Sequence, residues 1–184
     1  MKIINLIIFF LISIFFIDQA YSNENIISHL KEGNKIIFIR HALAPGSGDP
    51  ENIDLNDCKT QRNLNIKGIN QSKKIGNFFK NNNIKFVKVL SSEWCRCKDT
   101  ALHAFSKYKT FSALNSFYDQ KFYKNKNKQI NELKRFIKKW NKNENLILVT
   151  HYVVIMELLG VSSNSGEVIV SNKKYEVLSR ININ

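Results

Sequence analysis

Lys35-Ile-Ile-Phe-Ile-Arg40-His41-Ala42-Leu43-Ala44-Pro45-Gly46-Ser47-Gly48-Asp49-Pro50 is the stretch whose reading decides the fold. Lys35 to Arg40, preceded by a Gly33-Asn34 turn, is a short run rich in β-branched and aromatic residues, which predicts a buried strand. The segment from His41 onward holds two prolines and two glycines, a loop composition. Arg40 and His41 are thereby expected at the C-terminal edge of a strand.

Downstream the same junction recurs. Leu64 to Phe79 carries apolar residues at mostly helical spacing and closes at Asn81-Asn82-Asn83. Phe86 to Leu90 reads as the next strand, with Ser91-Ser92 expected to cap a helix from Glu93 to about Ser106. A short strand near Thr110 to Leu114 and a lysine-rich stretch lead to an amphipathic helix marked by Ile130, Leu133, Phe136, Ile137 and Trp140. Leu146 to Val149 is the most apolar strand, and His151 opens a helix ending near Gly160. Glu167 to Val170 and Tyr175 to Ile183 are expected to pair as a hairpin across Asn172-Lys173 at a sheet edge. Upstream, Ile26 to Leu30 predicts a short helix. Strands alternating with helices imply an α/β fold: a three-layer αβα sandwich with a mainly parallel sheet and helices on both faces.

At 184 residues the chain accommodates one domain with a core of its own. The first 22 residues differ in kind. Lys2 precedes an apolar run from Ile3 to Ile17, and Ala20-Tyr21-Ser22 supplies small residues at the two positions a signal peptidase reads. The run is shorter than the roughly 18 to 20 apolar residues of a spanning helix, so a signal peptide over 1–22 and a single domain over 23–184 are expected. An uncleaved anchor is the alternative. The expected location is the periplasm of a Gram-negative cell, or the outside of another cell type, with membrane contact only through an uncleaved signal segment.

Formal net charge is +13, which favours anionic partners. Lysines are dispersed, however, and their densest run, Lys121 to Lys128, has aromatics only at Phe122 and Tyr123, so nucleic acid is not an expected partner. Three cysteines, Cys58, Cys95 and Cys97, leave two long-range pairings open in an oxidising compartment, Cys58 with Cys95 or with Cys97. A Cys95-Cys97 bridge would be strained. A zinc site adding His103 lacks paired CxxC spacing.

Open parallel sheets bind ligands at the C-terminal ends of their strands. Those ends carry Arg40, His41, Arg96 and His151. Guanidinium forks match phosphate oxygens and stay charged, one imidazole can attack phosphorus, and a second can donate to its oxygens. A histidine after a strand is commonly a loop residue; four such groups at three strand ends define a candidate site.

These residues resemble a family. Phe38-Ile39-Arg40-His41-Ala42 resembles the Arg-His-Gly signature of the histidine phosphatase superfamily, also called phosphoglycerate mutase-like, with Ala42 in place of Gly. Leu64-Asn-Ile-Lys-Gly68-Ile-Asn-Gln71-Ser72 is similar to its Leu-Thr-x-x-Gly-x-x-Gln-Ala helix start. Ser91-Ser92-Glu-Trp-Cys-Arg96-Cys-Lys-Asp-Thr100-Ala101 is similar to its Ser-x-x-x-Arg-Ala-x-x-Thr-Ala segment, and Leu148-Val149-Thr150-His151 to its Val-x-His strand end. The matches come in the family's order over about Lys35 to Gly160. The resemblance implies phosphorylation of His41, a phosphoryl group gripped by Arg40 and Arg96, transition-state stabilisation by His151, and no metal or cofactor. Arg62, near the first loop, is a further candidate substrate contact.

Two departures bear on the chemistry. Where members acting on alkyl phosphates carry a general-acid Glu, this chain aligns Ser116. His151 is followed by Tyr152-Val153 rather than by Asp or Ala-Glu. Glu93 is therefore the first candidate proton donor, with Asp119 and Asp49 behind it. The expected activity is metal-independent hydrolysis of a small phosphomonoester through a phosphohistidine, an envelope sugar phosphate fitting the location by analogy. The alternative is a phosphate- or phosphosugar-binding module of the same fold without turnover.

Overall fold

The structure, a computed structural model, describes residues 25–183. The expected signal segment lies outside the described residues. Residues 25–32 form helix α1. Then follow β1 (Ile36–Arg40), α2 (Ile66–Asn81), β2 (Phe86–Ser91), α3 (Cys95–Phe105), β3 (Lys109–Thr110), α4 (Gln120–Tyr123), α5 (Lys126–Lys139), β4 (Asn145–Thr150), α6 (Tyr152–Leu159), β5 (Glu167–Ser171) and β6 (Val177–Asn182).

One six-stranded sheet runs in the order β3-β2-β4-β1-β5-β6. The first four strands are mutually parallel, whereas β5 runs antiparallel to both β1 and β6, giving the expected edge hairpin. Along β1 the side chains alternate between two cores, as the two-residue period of a strand requires. Ile36 and Phe38 pack with Leu146, Leu148 and the apolar faces of α5 and α6. Ile37 and Ile39 pack with Ile147, Val149 and residues of α1, α2 and α3. Helices cover both faces, so the architecture is the three-layer one.

Register places the site. Arg40 pairs with Thr150, and the ladder extends one bond further, from His41 N–H to the Thr150 carbonyl at 2.9 Å. On the other side of β4, Ser91 pairs with Val149, and Ser92 N–H donates to the Val149 carbonyl at 3.0 Å. His41, Ser92 and His151 thus leave three adjacent parallel strands at the same end.

Helix α2 leans directly on the loop that follows His41. A Cβ at Gly68 would lie 2.1 Å from the Leu43 carbonyl oxygen, so no larger residue fits without moving that loop. Asn65 caps α2 by accepting the Gly68 N–H at 2.9 Å.

Two local expectations are corrected. The strand expected over Thr110 to Leu114 pairs only at Lys109–Thr110; Ser112–Leu114 is a 3₁₀ turn that buries Ala113 and Leu114, and Thr150 Oγ1 donates to the Leu114 carbonyl at 2.7 Å. Nor do Ser91 and Ser92 cap α3. Its N-cap residue is Trp94, without a side-chain cap bond. The Ser91 hydroxyl bonds the Ser92 carbonyl, and that of Ser92 turns inward to His151.

The open disulfide pairing resolves to Cys58–Cys95, with a sequence separation of 37, and Cys97 is a buried free thiol. With two of the three cysteines bonded to each other, the three-cysteine zinc arrangement does not form.

Candidate active site

A cavity of about 230 Å³ opens at the strand ends, and its lining includes Arg40, His41, Arg62, Arg96 and His151. The two imidazoles meet edge to face with ring centroids 5.4 Å apart. Each is only 3% exposed, as is Arg96. A broader depression of about 900 Å³, edged by Lys67, Gln71 and Asn164, contains neither imidazole nor guanidinium.

His41 is held by its own chain. Its Nδ1 lies 2.9 Å from the Ala42 carbonyl oxygen, which can only accept, so Nδ1 carries the proton and Nε2 keeps a lone pair. Ala42 N–H donates to Thr100 Oγ1 at 2.9 Å, and Thr100 Oγ1 donates to the Arg96 carbonyl at 2.7 Å. Arg96 and Thr100, one helical turn apart, thus tie α3 to the His41 loop. Gln71 does the same from α2. Its Oε1 accepts Leu43 N–H at 3.0 Å, while its Nε2 donates to the Ser165 and Ile183 carbonyls, both at 2.9 Å.

His151 is held by other parts of the molecule. Its Nε2 lies 2.8 Å from Ser92 Oγ and 3.4 Å from Cys97 Sγ, and its ring packs edge to face on Trp94 at 5.3 Å. Burial, and then the Arg96 charge, push both imidazoles well below the ordinary histidine pKa, so both are neutral at pH 7.

Each of the three arginines is steadied differently. Arg40 NH1 donates to the Ser163 carbonyl at 2.5 Å, and its guanidinium sits 5.6 Å over the Tyr152 ring. Arg62 donates from Nε to the Gly48 carbonyl at 2.7 Å and from NH1 to the Ala44 carbonyl, ordering the glycine-rich loop while lining the cavity. Arg96 forms a bidentate pair with Asp49, NH1 to Oδ1 at 2.7 Å and NH2 to Oδ2 at 3.0 Å. The same carboxylate accepts Trp94 Nε1–H at 3.1 Å and Arg62 N–H at 3.2 Å, and its side chain is 2% exposed. The Nε atoms of Arg40 and Arg96 are buried without partners. Buried donors of this kind ordinarily have an acceptor, and both guanidiniums belong to residues that line the cavity.

The proton-donor expectation needs correction. Glu93, which precedes the N-cap of α3, is not among the cavity-lining residues; its carboxylate accepts Asn115 Nδ2–H at 2.5 Å. Ser116 lines the cavity, buried, with its Oγ accepting Tyr118 N–H at 3.2 Å. Asp49 lines it too, but its oxygens are spent on Arg96, Trp94 and Arg62. Asp119, half-buried, lies at the wall near Gly48.

Sequence reasoning missed the positioning part of Asp49, Ser92 and Asn115. A carboxylate between Gly48 and Pro50 was the one available signal, and it does not reveal which arginine it meets.

No family model and no curated protein matches the sequence. The fold, however, is shared with solved members of the histidine phosphatase superfamily. The protein histidine phosphatase SixA, complexed with tungstate, is 14% identical with a TM-score of 0.55, covering 80% of this chain and 96% of that one. Phosphoglycerate mutase from Thermus thermophilus is 14% identical with a TM-score of 0.58, covering 82% and 99%. A mycobacterial glucosyl-3-phosphoglycerate phosphatase in complex with VO3 is 11% identical with a TM-score of 0.55, covering 74% and 92%.

Proposed function

We propose that this chain is an exported phosphomonoesterase that works through a phosphohistidine on His41. One observation carries the reading: two buried, neutral imidazoles meet at the ends of adjacent parallel strands, in a cavity with three guanidiniums, two of which keep a buried N–H unspent. The named activities of the structural neighbours support phosphatase chemistry in general.

His41 Nε2 is the nucleophile, because its tautomer leaves that lone pair free and its depressed pKa keeps it unprotonated. Arg40 and Arg96 hold the phosphoryl oxygens, with Arg62 adding to the positive field. Fixed cationic donors in a buried site stabilise the charge that spreads over the equatorial oxygens during transfer, and they do so without a metal. The cavity's size suits a small phosphomonoester, and a sugar phosphate of the cell envelope fits an exported enzyme. The Cys58–Cys95 disulfide supports an oxidising location.

Phenyl phosphate tests the reading. Wild-type protein should release phosphate, and alkaline quenching during turnover should trap acid-labile phosphate on the peptide containing residue 41. Phosphate release without that label would defeat the covalent mechanism; no release at all would defeat the enzyme.

A further inference from the structure

The hydrogens around His151 can be assigned one by one. Asn115 Oδ1 accepts the backbone N–H of Glu93 at 2.8 Å, and Asn115 Nδ2 donates to the Glu93 carboxylate, which fixes the amide with its oxygen toward Ser92. The Ser92 hydroxyl donates to that oxygen at 3.1 Å and accepts Trp94 N–H at 3.3 Å. Cys97 donates its thiol hydrogen to the Thr150 carbonyl at 3.5 Å, and burial pushes that thiol up to about 12, so the hydrogen stays. With the Ser92 hydrogen on Asn115 and the Cys97 hydrogen on Thr150, both neighbours of His151 Nε2 present lone pairs, and Nε2 is then the nitrogen that donates between them. In that tautomer Nε2 carries the proton and Nδ1, on a ring that lines the cavity, keeps its lone pair. His41 has the reverse tautomer.

We propose that His151 carries the proton of this reaction, and that Ser92 and Asn115 are positioning residues that select its cavity-facing nitrogen. The proposal rests on the phosphatase reading above and fills the place of the missing acidic residue. A bare Nδ1 repels a phosphate dianion but accepts a hydrogen bond from the P–OH of a monoanion. In the first step the His41 Nε2 lone pair forms the N–P bond as the P–O bond to the alcohol breaks. The P–OH proton passes through His151 Nδ1 to the leaving oxygen, giving neutral alcohol and phosphohistidine. In the second step water attacks phosphorus and the N–P bond breaks. One water proton passes through Nδ1 to a phosphate oxygen, releasing the monoanion and restoring both imidazoles.

The groups facing His151 are His41, Arg40, Arg62 and Arg96, with Cys97 behind the ring, and Asp119, Tyr118 and Tyr152 in the cavity wall. Asp49 stands behind Arg96 and Glu93 behind Asn115. Burial, and then the Arg96 charge, hold the free imidazole neutral, so the proton arrives with the substrate.

Turnover of phenyl phosphate across pH 4.5 to 9 tests the proposal. The second pKa of a phosphate ester is about 6, so wild-type kcat/KM should fall about tenfold per pH unit above it. Ser92→Ala removes the partner that fixes the tautomer, and Asn115→Leu frees the Ser92 hydroxyl to donate to Nε2. Both variants should accept the dianion and move the alkaline limb to higher pH. Long-range 1H–15N correlation on 15N-histidine-labelled protein should show His41 protonated at Nδ1 and His151 at Nε2. A His151 protonated at Nδ1, or rates lowered equally at every pH in both variants, overturns the proposal while leaving the phosphatase standing. Wild-type protein without turnover overturns both.

Discussion

His41 and His151 occupy equivalent places, one residue past the ends of neighbouring parallel strands, yet they are fixed in opposite ways. His41 takes its hydrogen bond from the residue next to it, whereas His151 takes its contacts from residues 54 and 59 positions away. The local arrangement survives wherever the strand ends in this loop. The long-range one exists only if α3, the Asn115 turn and the Asp49 loop all arrive together. The ring proposed as nucleophile is thus set by local backbone, while the ring proposed to assist it depends on the assembled tertiary structure.

The sharpest way to separate the two is to delete each ring. His41→Ala should reduce phenyl phosphate turnover about 10⁶-fold, the scale associated with removing a covalent nucleophile. His151→Ala should cost about 10²- to 10⁴-fold, as for a group that relays a proton, and should still yield labelled His41 on quenching. Equal losses in kcat would break the distinction between nucleophile and assistant.

A second test strikes the long-range side alone. Asp49→Asn removes the carboxylate that pairs with Arg96 and holds Trp94 against His151. Leaving a buried guanidinium unpaired should lower unfolding free energy by about 3 to 5 kcal/mol, read from the urea midpoint. KM should rise, because Arg96 loses its fixed orientation. A variant as stable as wild type would show that the loop adds nothing to the site's rigidity.

The smallest effect concerns what the two rings share. Both are buried with pKa values below that of the unfolded chain, so between the folded values and about 6.5 the unfolded state binds more protons. Stability is then complete above about pH 6.5 and is lost as pH falls through that window, by about 1.4 kcal/mol per pH unit for each ring. Urea midpoints at pH 7, 6 and 5 measure the slope, and His151→Ala should remove about half of it.

Arg40, His41 and His151 were legible in the sequence because each ends or directly follows a strand pattern, and Arg96 because it opens the helix a few residues past one; parallel strands deliver such residues to one rim. The alternation of strand and helix patterns likewise determined the layers, and two β-rich segments flanking Asn172-Lys173 the edge hairpin. Arg62 was legible as a candidate substrate contact near the first loop; its hydrogen bonds to the Ala44 and Gly48 carbonyls are visible only in three dimensions. Glu93 was misplaced because its distance along the chain from Arg96 says nothing about which side of the helix start faces the cavity. Ser92 was read as a helix cap, since a serine before a helix satisfies free N–H groups by default; the closer partner, His151, lies 59 residues away. The sequence by itself determined which chemical groups stand at the strand ends, because strand and helix periods are local properties. Only the tertiary structure decided which of them touch, that Cys58 bonds Cys95, and that Ser92 and Cys97 meet the His151 ring, because those outcomes depend on contacts between segments whose separation along the chain carries no distance information.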